Sequence, residues 1–224
     1  MPDNLIIIGN GGHTQDILGI VESNRWTGSS TFYHTTIIDD DPQKSDIEGT
    51  CIEDMYLRFI SLYGNAQYVI GVNDSQIRAA IAARMDKLYA YPVAPLVHPS
   101  AVIMVDKSDI GVGCVIGPNV VITRNVKLGI HSHINSCASI NQGSTVGSFA
   151  TMAPGARICG DVNVGDRVGF GCNSSVINMI NIGNDVFVGA GAVVIRDISD
   201  GQTVVGVPAK PLIKGRKNEN VLDA

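Results

Sequence analysis

The stretch INSCASINQGSTVGSFATMAPGARI, residues 134–158, decides the fold. From Ile134 onward an apolar side chain returns at every sixth position: Ile140, Val146, Met152, Ile158. The same beat reaches back through Leu128, Ile122 and Ile116 to Ile110. It runs forward through Val164, Phe170, Val176, Ile182 and Val188 to Val194. Fifteen consecutive beats carry no insertion. A helix repeats every 3.6 residues and a lone strand every 2, so neither produces a six-residue period. A hexapeptide period is the signature of a β-helix solenoid.

Two residues before each beat the side chain is small or β-branched, as at Val126, Ser132, Ala138, Ser144, Ala150, Ala156 and Val162. Residues two apart on a strand share a face, so each pair points inward and the residue between them points out. Glycine follows the beat at 111, 117, 129, 147, 165, 171, 183 and 189, as expected at corners. Three faces per coil give about eighteen residues per turn. The register extends back through Met104 and His98, which makes five to six coils. A rod of this kind needs covered ends. The N-terminal part is expected over one end, and the segment from Thr203, which leaves the register, over the other.

Around this rod the bulk properties narrow the function. Of 224 residues, 45% are apolar but only 5% aromatic, so the core is aliphatic. A net charge of −5 gives no electrostatic footprint for nucleic acid or an anionic membrane. No apolar run approaches the roughly 20 residues that span a bilayer. Met1 to Asn4 lacks a basic leader, and Leu5 to Ile8 is too short for a signal core. Five cysteines without CxxC spacing read as reduced thiols in a cytoplasmic protein.

The N-terminal third reads differently. Leu5-Ile6-Ile7-Ile8 is a short buried-strand pattern, followed by Gly9-Asn10-Gly11-Gly12-His13-Thr14 and then by Ile17, Ile20 and Val21 at helical spacing. Strand, glycine turn and helix aim backbone N–H groups at a phosphate. Thr14 stands where the third glycine of the dinucleotide fingerprint belongs, and a tight turn without ligand is the plainer reading of the loop alone. A second strand through Thr35–Ile38 ends in Asp39-Asp40-Asp41, where such folds meet a ribose or base; a solvated acidic turn is the alternative. Tyr68–Val72 reads as a third strand. Asn73, Asp74 and Ser75 offer N-caps for a helix over about 76–88. A Rossmann-like βαβ domain over residues 1–95 is expected, then the β-helix over 96–200, then a cap and tail over 201–224.

The GxGGH loop, the IDDD strand end, the His98-Pro99-Ser100-Ala101 segment, the hexapeptide coils and the Gly206-Val207-Pro208-Ala209-Lys210 ending together resemble one family. It is the sugar-nucleotide acetyltransferase family of the PglD and NeuD type, and the resemblance covers nearly the whole chain. It implies a left-handed parallel β-helix, a homotrimer, acetyl-CoA as co-substrate with no metal, and a nucleotide sugar held by the N-terminal domain. By position it implies Gly9, Gly11, Gly12 and His13 at the diphosphate and Asp39 and Asp40 at the base or ribose. The active site would lie between neighbouring rods, in surface-glycan biosynthesis. CoA would run toward the C-terminus, where Lys210 and Lys214 offer phosphate contacts; a solvated basic tail is the other reading of those lysines.

Four positions depart from the family pattern. Where relatives carry a Glu-His-Glu or Asp-His-Asp corner, with the histidine as general base, this chain has Asn141-Gln142-Gly143. Where they carry a second histidine nine residues on, it has Thr151; the family's asparagine is kept as Asn135. Gln142, Asn135 and Thr151 are therefore the residues at the implied catalytic positions. Glutamine accepts no proton at neutral pH, and a positioned base contributes typically 10²–10⁴-fold. A hydroxyl must lose its proton as it attacks, whereas a neutral amine attacks with its lone pair. The missing base therefore disfavours O-acetylation more than N-acetylation of an amino sugar. O-acetylation of a sugar or a sialic-acid-like substrate stays open, as does a catalytically degenerate protein that binds sugar nucleotide or CoA without turnover.

His131-Ser132-His133 suggests a zinc rival of the γ-carbonic anhydrase type. Catalytic zinc generally takes three protein ligands, and the remaining histidines, His13, His34 and His98, lie outside the following coils. His131 and His133 are read as surface residues on a solvated corner. No Ser–His or Cys–His pair is evident, so direct attack on the thioester is expected.

Overall fold

The computed structural model describes residues 3–26, 32–106 and 109–212. The N-terminal part is a parallel sheet of strands β1 (Asp3–Ile8), β2 (Phe32–Ile38), β3 (Ala66–Ile70) and β4 (Tyr91–Pro92), in the order β2-β1-β3-β4. Helix α1 (Gly12–Trp26) covers one face, where Ile17, Ile20 and Val21 meet Leu5, Ile7 and Val69. Helices α2 (Ile52–Tyr63) and α3 (Ser75–Asp86) cover the other, over Ile6, Ile8, Tyr68 and Ile70. Both sides of β1 are therefore buried, which is why it reads as a continuous apolar run.

Local chemistry sets the ends of these elements. Asp74, rather than Asn73 or Ser75, caps α3; its carboxylate accepts from the backbone N–H groups of Gln76 and Ile77, both at 2.9 Å. Helix α2 carries an i, i+3, i+4, i+7 stripe of Ile52, Met55, Tyr56 and Phe59, all buried, and stops at Gly64 with φ 85°. Thr14, the residue that breaks the glycine fingerprint, is fully buried. Its hydroxyl donates to the Gly9 carbonyl at 2.6 Å and so ties the helix start back to the strand end. Gly71 makes that possible, because a Cβ there would strike the Thr14 hydroxyl.

The chain leaves this sheet after β4 and enters the rod at Leu96–Val97. The rod is a left-handed parallel β-helix of about six turns. Two-residue strands stack eighteen residues apart, as His133 beneath Thr151 and Thr151 beneath Gly169. The first face holds Val115–Ile116, His133–Ile134, Thr151–Met152, Gly169–Phe170 and Phe187–Val188. The second contains Ser139–Ile140 and the third Thr145–Val146. Every beat from Ile110 to Val194 is buried, as are the paired residues two before from Val126 to Ala192. Each fully buried Val or Ile contributes roughly 1.5–3 kcal/mol. Two of the inward serines are satisfied within the stack: Ser132 Oγ donates to Gly147 O and accepts from Ala150 N, both at 3.1 Å. Ser144 repeats this with Cys159 O and Val162 N.

The tail Thr203–Val205 extends the first face beside Phe187–Val188 and turns back through Lys210–Pro211, with Ala209 against the rod core. The N-terminal sheet is placed otherwise than expected. It packs along the side of the rod. The corner joining third face to first presents Gly113, His131, Phe149, Arg167 and Asp185 in successive coils, and the N-terminal part reaches all five. Gly113 N–H donates to Val93 O, Arg78 donates to the carbonyls of His131 and Phe149, Ser75 Oγ to Arg167 O, and Gln76 Nε2 to Asp185. An end cap would touch one coil; this domain spans five.

Candidate active site

Lateral docking turns an outward face of the rod into the floor of a cleft. His133 occupies an outward slot, yet it is fully buried, and His131 is 2% exposed. The solvated-corner reading of these two residues is therefore corrected: the rod leaves them outside, and the N-terminal domain covers them. His133 stacks on His13 of α1, with centroids 4.4 Å apart. His131 stacks between Phe149 and Tyr68, at 5.5 and 5.8 Å.

Arg78 lies beneath this aromatic layer, fully buried. It falls on the buried stripe of α3 with Ile81, Ala82 and Met85, a cation where helical spacing calls for an apolar residue. Its Nε donates to His131 O at 2.8 Å, and Nη1 to Val72 O and Asn73 O at 2.8 and 2.9 Å. Nη2 donates to Phe149 O, Ala150 O and Thr151 Oγ1. No carboxylate lies within ion-pair distance among the described residues. Burial pulls the guanidinium down to about 10, so it stays charged at neutral pH. Burial, then the Arg78 charge, lowers His131 to about 4 and holds His133 well below the ordinary 6.5. His13 is lowered by burial, with Asp16 opposing and Arg78 assisting.

Two cavities flank this layer. The larger, about 1220 Å³, runs between the starts of α1 and α3 and the outer first face, bordered by Gly12, Thr151, Arg167, Gly169, Cys172 and Phe187. The smaller, about 340 Å³, lies between α1 and the next corner, beside His98, Gly117 and Ser136. Four residues border both: His13, Asp16, Asn135 and Pro154.

The residues expected at the site separate into groups. His13, Asn135 and Thr151 come together. Asn135 Nδ2 donates to Met152 O at 2.8 Å. The Thr151 hydroxyl accepts from Arg78 at 2.9 Å and donates to Asn73 O at 3.3 Å. Gln142 stands apart, exposed on the corner between the second and third faces and bordering neither cavity of its own chain. Gly12 borders the larger cavity, while Gly9 and Gly11 border neither. Asp39 shapes the glycine loop, accepting from Asn10 N at 2.8 Å. Asp40 gives both oxygens to Arg84, at 2.7 and 2.9 Å. Lys210 is exposed at the tail, and Lys214 lies outside the described residues.

One Ser–His contact does exist. His98 Nδ1 lies 2.8 Å from Ser100 Oγ, but the two are joined in a local turn, where Ser100 Oγ also accepts from Asn119 N. Among the described residues no three His, Cys, Asp or Glu side chains gather as a metal-ligand set, and no helix is long and apolar enough to cross a membrane.

Residues 4–85 match the family model of the PglD N-terminal domain. GDP-perosamine N-acetyltransferase of Escherichia coli O157:H7 is 24% identical over 172 residues, 76% of this chain and 76% of that protein. The perosamine N-acetyltransferase of Caulobacter crescentus, solved as a histidine-to-asparagine variant with CoA and GDP-perosamine, is 29% identical. It covers 96% of this chain and 99% of its own, with a TM-score of 0.80. Over 96% of its length the chain is similar to this solved N-acetyltransferase, and its N-terminal part to the PglD N-terminal domain. The acetyltransferase domain of PglB from Neisseria gonorrhoeae FA1090, solved with acetyl coenzyme A, is 28% identical. It covers 95% of this chain and 100% of its own, with a TM-score of 0.79. In this chain the rod contributes Asn135 and Thr151, and the βα turn His13, to the wall of the larger cavity.

Proposed function

We propose that the protein transfers the acetyl group of acetyl-CoA to the amine of a nucleotide-linked amino sugar. The observation that carries this reading is a pair of cavities that share His13, Asp16, Asn135 and Pro154 in their walls, one large enough for a nucleotide-linked sugar. It is supported by solved relatives that hold CoA with GDP-perosamine, or acetyl-CoA. Asn135 Oδ1 accepts from the acceptor amine and aims its lone pair at the thioester carbonyl. The amine forms the C–N bond, the carbonyl takes the electron pair, collapse breaks the C–S bond to release CoA thiolate, and the nitrogen gives its extra proton to water or to that thiolate. Positioning carries the rate in such a step.

Within this reading, residues 1–95 hold the nucleotide sugar through Gly9, Gly11, Gly12 and His13, with Asp39 and Asp40 at the nucleoside end. Residues 96–200 form the transferase body, and 201–224 the cap, with Lys210 and Lys214 at CoA phosphates. The protein works in the cytoplasm as a homotrimer, in surface-glycan biosynthesis. A neighbouring rod brings its Gln142 corner to the cleft.

The test is thiol release from acetyl-CoA with a panel of nucleotide-linked amino sugars and their hydroxyl counterparts. Release with the amines is expected. Efficient turnover of hydroxyl sugars alone would replace N-acetylation by O-acetylation. Binding by calorimetry without release would make the protein a binding module.

A further inference from the structure

The wall of the larger cavity carries one carboxylate that the fold leaves uncommitted. Three acids line that cavity: Asp16, Asp74 and Asp185. Asp74 caps α3, accepting from Gln76 N and Ile77 N. Asp185 gives its two oxygens to Arg167, at 2.7 and 2.9 Å. Asp16 has no such partner. Among the described residues no hydrogen bond reaches its carboxylate. Its one close contact is His13 Nδ1 at 3.5 Å, in a ring that burial holds below its ordinary 6.5 and so keeps neutral at pH 7.

Nor does helix α1 need this acid. Asp16 lies beyond the first turn, where a carboxylate would complement the helix dipole. The positions three and four further on, Gly19 and Ile20, hold no cation for it. Its side chain is 67% exposed, and it stands in the walls of both cavities, as Asn135 of the rod does. A reachable carboxylate in a cleft wall, with neither a helical nor an ion-pair role, suits a donor that the ligand brings.

We propose that Asp16 is the residue that selects an amine over a hydroxyl at the acceptor atom. The inference rests on the acetyltransferase reading, in which Asn135 Oδ1 takes one N–H of the acceptor. A neutral amine has two N–H groups and one lone pair. Asn135 accepts one N–H from the rod side and Asp16 the other from α1. The remaining tetrahedral direction belongs to the lone pair, turned to the thioester. A hydroxyl carries a single hydrogen, so it satisfies one acceptor and leaves the other facing a lone pair. A site built on hydrogen bonds rejects the analogue that lacks a donor far more strongly than an apolar pocket can. An amine that arrives protonated is held more tightly still by the carboxylate, and gives one proton to water before it attacks. The glycine turn at the diphosphate lies one helical turn before Asp16. That turn rises about 5.4 Å, comparable with the width of a pyranose ring. The anion and the amine of one ligand are thus met at successive turns of the same helix.

The experiment compares the wild type, Asp16→Asn and Asp16→Ala on UDP- and GDP-linked amino sugars, each paired with the counterpart that carries a hydroxyl in place of the amine. Thiol release from acetyl-CoA gives kcat/KM, and calorimetry gives affinity without turnover. Asp16→Ala is expected to lower kcat/KM for the amino sugar roughly 10–100-fold, the range of one hydrogen bond to a charged group, with the KM for acetyl-CoA nearly constant. The calorimetric preference for amine over hydroxyl shrinks with it. Asp16→Asn keeps an acceptor oxygen without the charge and falls between the two. Far-UV circular dichroism confirms that each variant is folded. An unchanged amine-to-hydroxyl ratio in Asp16→Ala overturns the assignment, and so does a loss shared equally by the hydroxyl sugars or by acetyl-CoA. A wild type that prefers the amines in calorimetry but releases no thiol overturns the transferase reading instead, and the calorimetric ratio still decides the role of Asp16.

Discussion

The rings of His13 and His133 stack across the join between the N-terminal sheet and the rod, 4.4 Å apart, and both are held neutral. With His131 nearby, three imidazoles share a buried layer with one permanent cation, Arg78. In the unfolded chain each takes up a proton near pH 6.5. In the folded chain His131 does so only near 4, His133 well below its ordinary value, and His13 below 6.5. Between 6.5 and about 4 the unfolded state therefore binds more protons, and stability falls as pH falls. One to three protons give a slope of roughly 1.4–4 kcal/mol per pH unit. Urea unfolding at pH 7.5, 6.5, 5.5 and 5 measures it, and His133→Phe is expected to remove about one proton's share. A flat profile between 6.5 and 5 would show that these rings are protonated inside the fold.

Arg78 makes six hydrogen bonds, and four of them join it to the rod, three through carbonyls. Arg78→Met fills similar volume but strands the carbonyls of His131 and Phe149 in a dry interface. Each buried group left unpaired costs about 1–3 kcal/mol, so a loss of at least 3 kcal/mol is expected. Arg78→Lys recovers only part of it, because an ammonium cannot present the planar fork. A thermal unfolding midpoint within 2 °C of the wild type for Arg78→Met would refute this.

What could be read from the sequence divides along the same join. The rod was legible because its register is local: each beat is fixed by residues six and eighteen away, and no distant contact moves it. Asp74 as a cap and Thr14 as a departure were legible for the same reason. Helix α2 was legible from Ile52, Met55, Tyr56 and Phe59, an apolar stripe at helical spacing. The burial of His131 and His133 was not legible, since an outward slot on a rod is exposed or covered according to what another domain does. Arg78 carried a signal, a lone cation on an apolar stripe, but its partners are backbone carbonyls in coils 53 to 72 residues away.

Gly169 lies directly below Phe187, whose ring would come within 2.8 Å of an added Cβ. Phe187 is 50% exposed, and both residues border the larger cavity. In Gly169→Ala the ring must swing outward, into the space assigned to the acceptor. Stability is expected to change by less than about 1 kcal/mol, because the colliding atoms belong to a half-free side chain. The KM for the amino sugar should rise several-fold, with the KM for acetyl-CoA nearly constant. Equal changes in both constants would place Phe187 outside the acceptor's space.

The corners of the rod repeatedly place non-glycine residues in the left-handed region, among them Asn119, Asn125, Asn173 and Met179, with φ between 56° and 61°. For an L-residue this conformation costs roughly 1–2 kcal/mol, and asparagine tolerates it best among side chains other than glycine. Where the corner residue also bonds, as Arg167 does to Asp185 at 2.7 Å, that contact offsets the strain. Met179 has no such compensation: it is 75% exposed at φ 61°. Its backbone N–H donates to Gly160 O, an interaction the side chain does not affect. Met179→Asn should therefore stabilise the rod by roughly 0.5–1 kcal/mol through relief at a single dihedral. Met179→Val, β-branched and poorly suited to positive φ, should destabilise it by a similar amount. Urea unfolding at neutral pH, away from the histidine titrations, reads both. The opposite ordering of the two variants would mean that corner stability is set by side-chain contacts rather than by backbone strain.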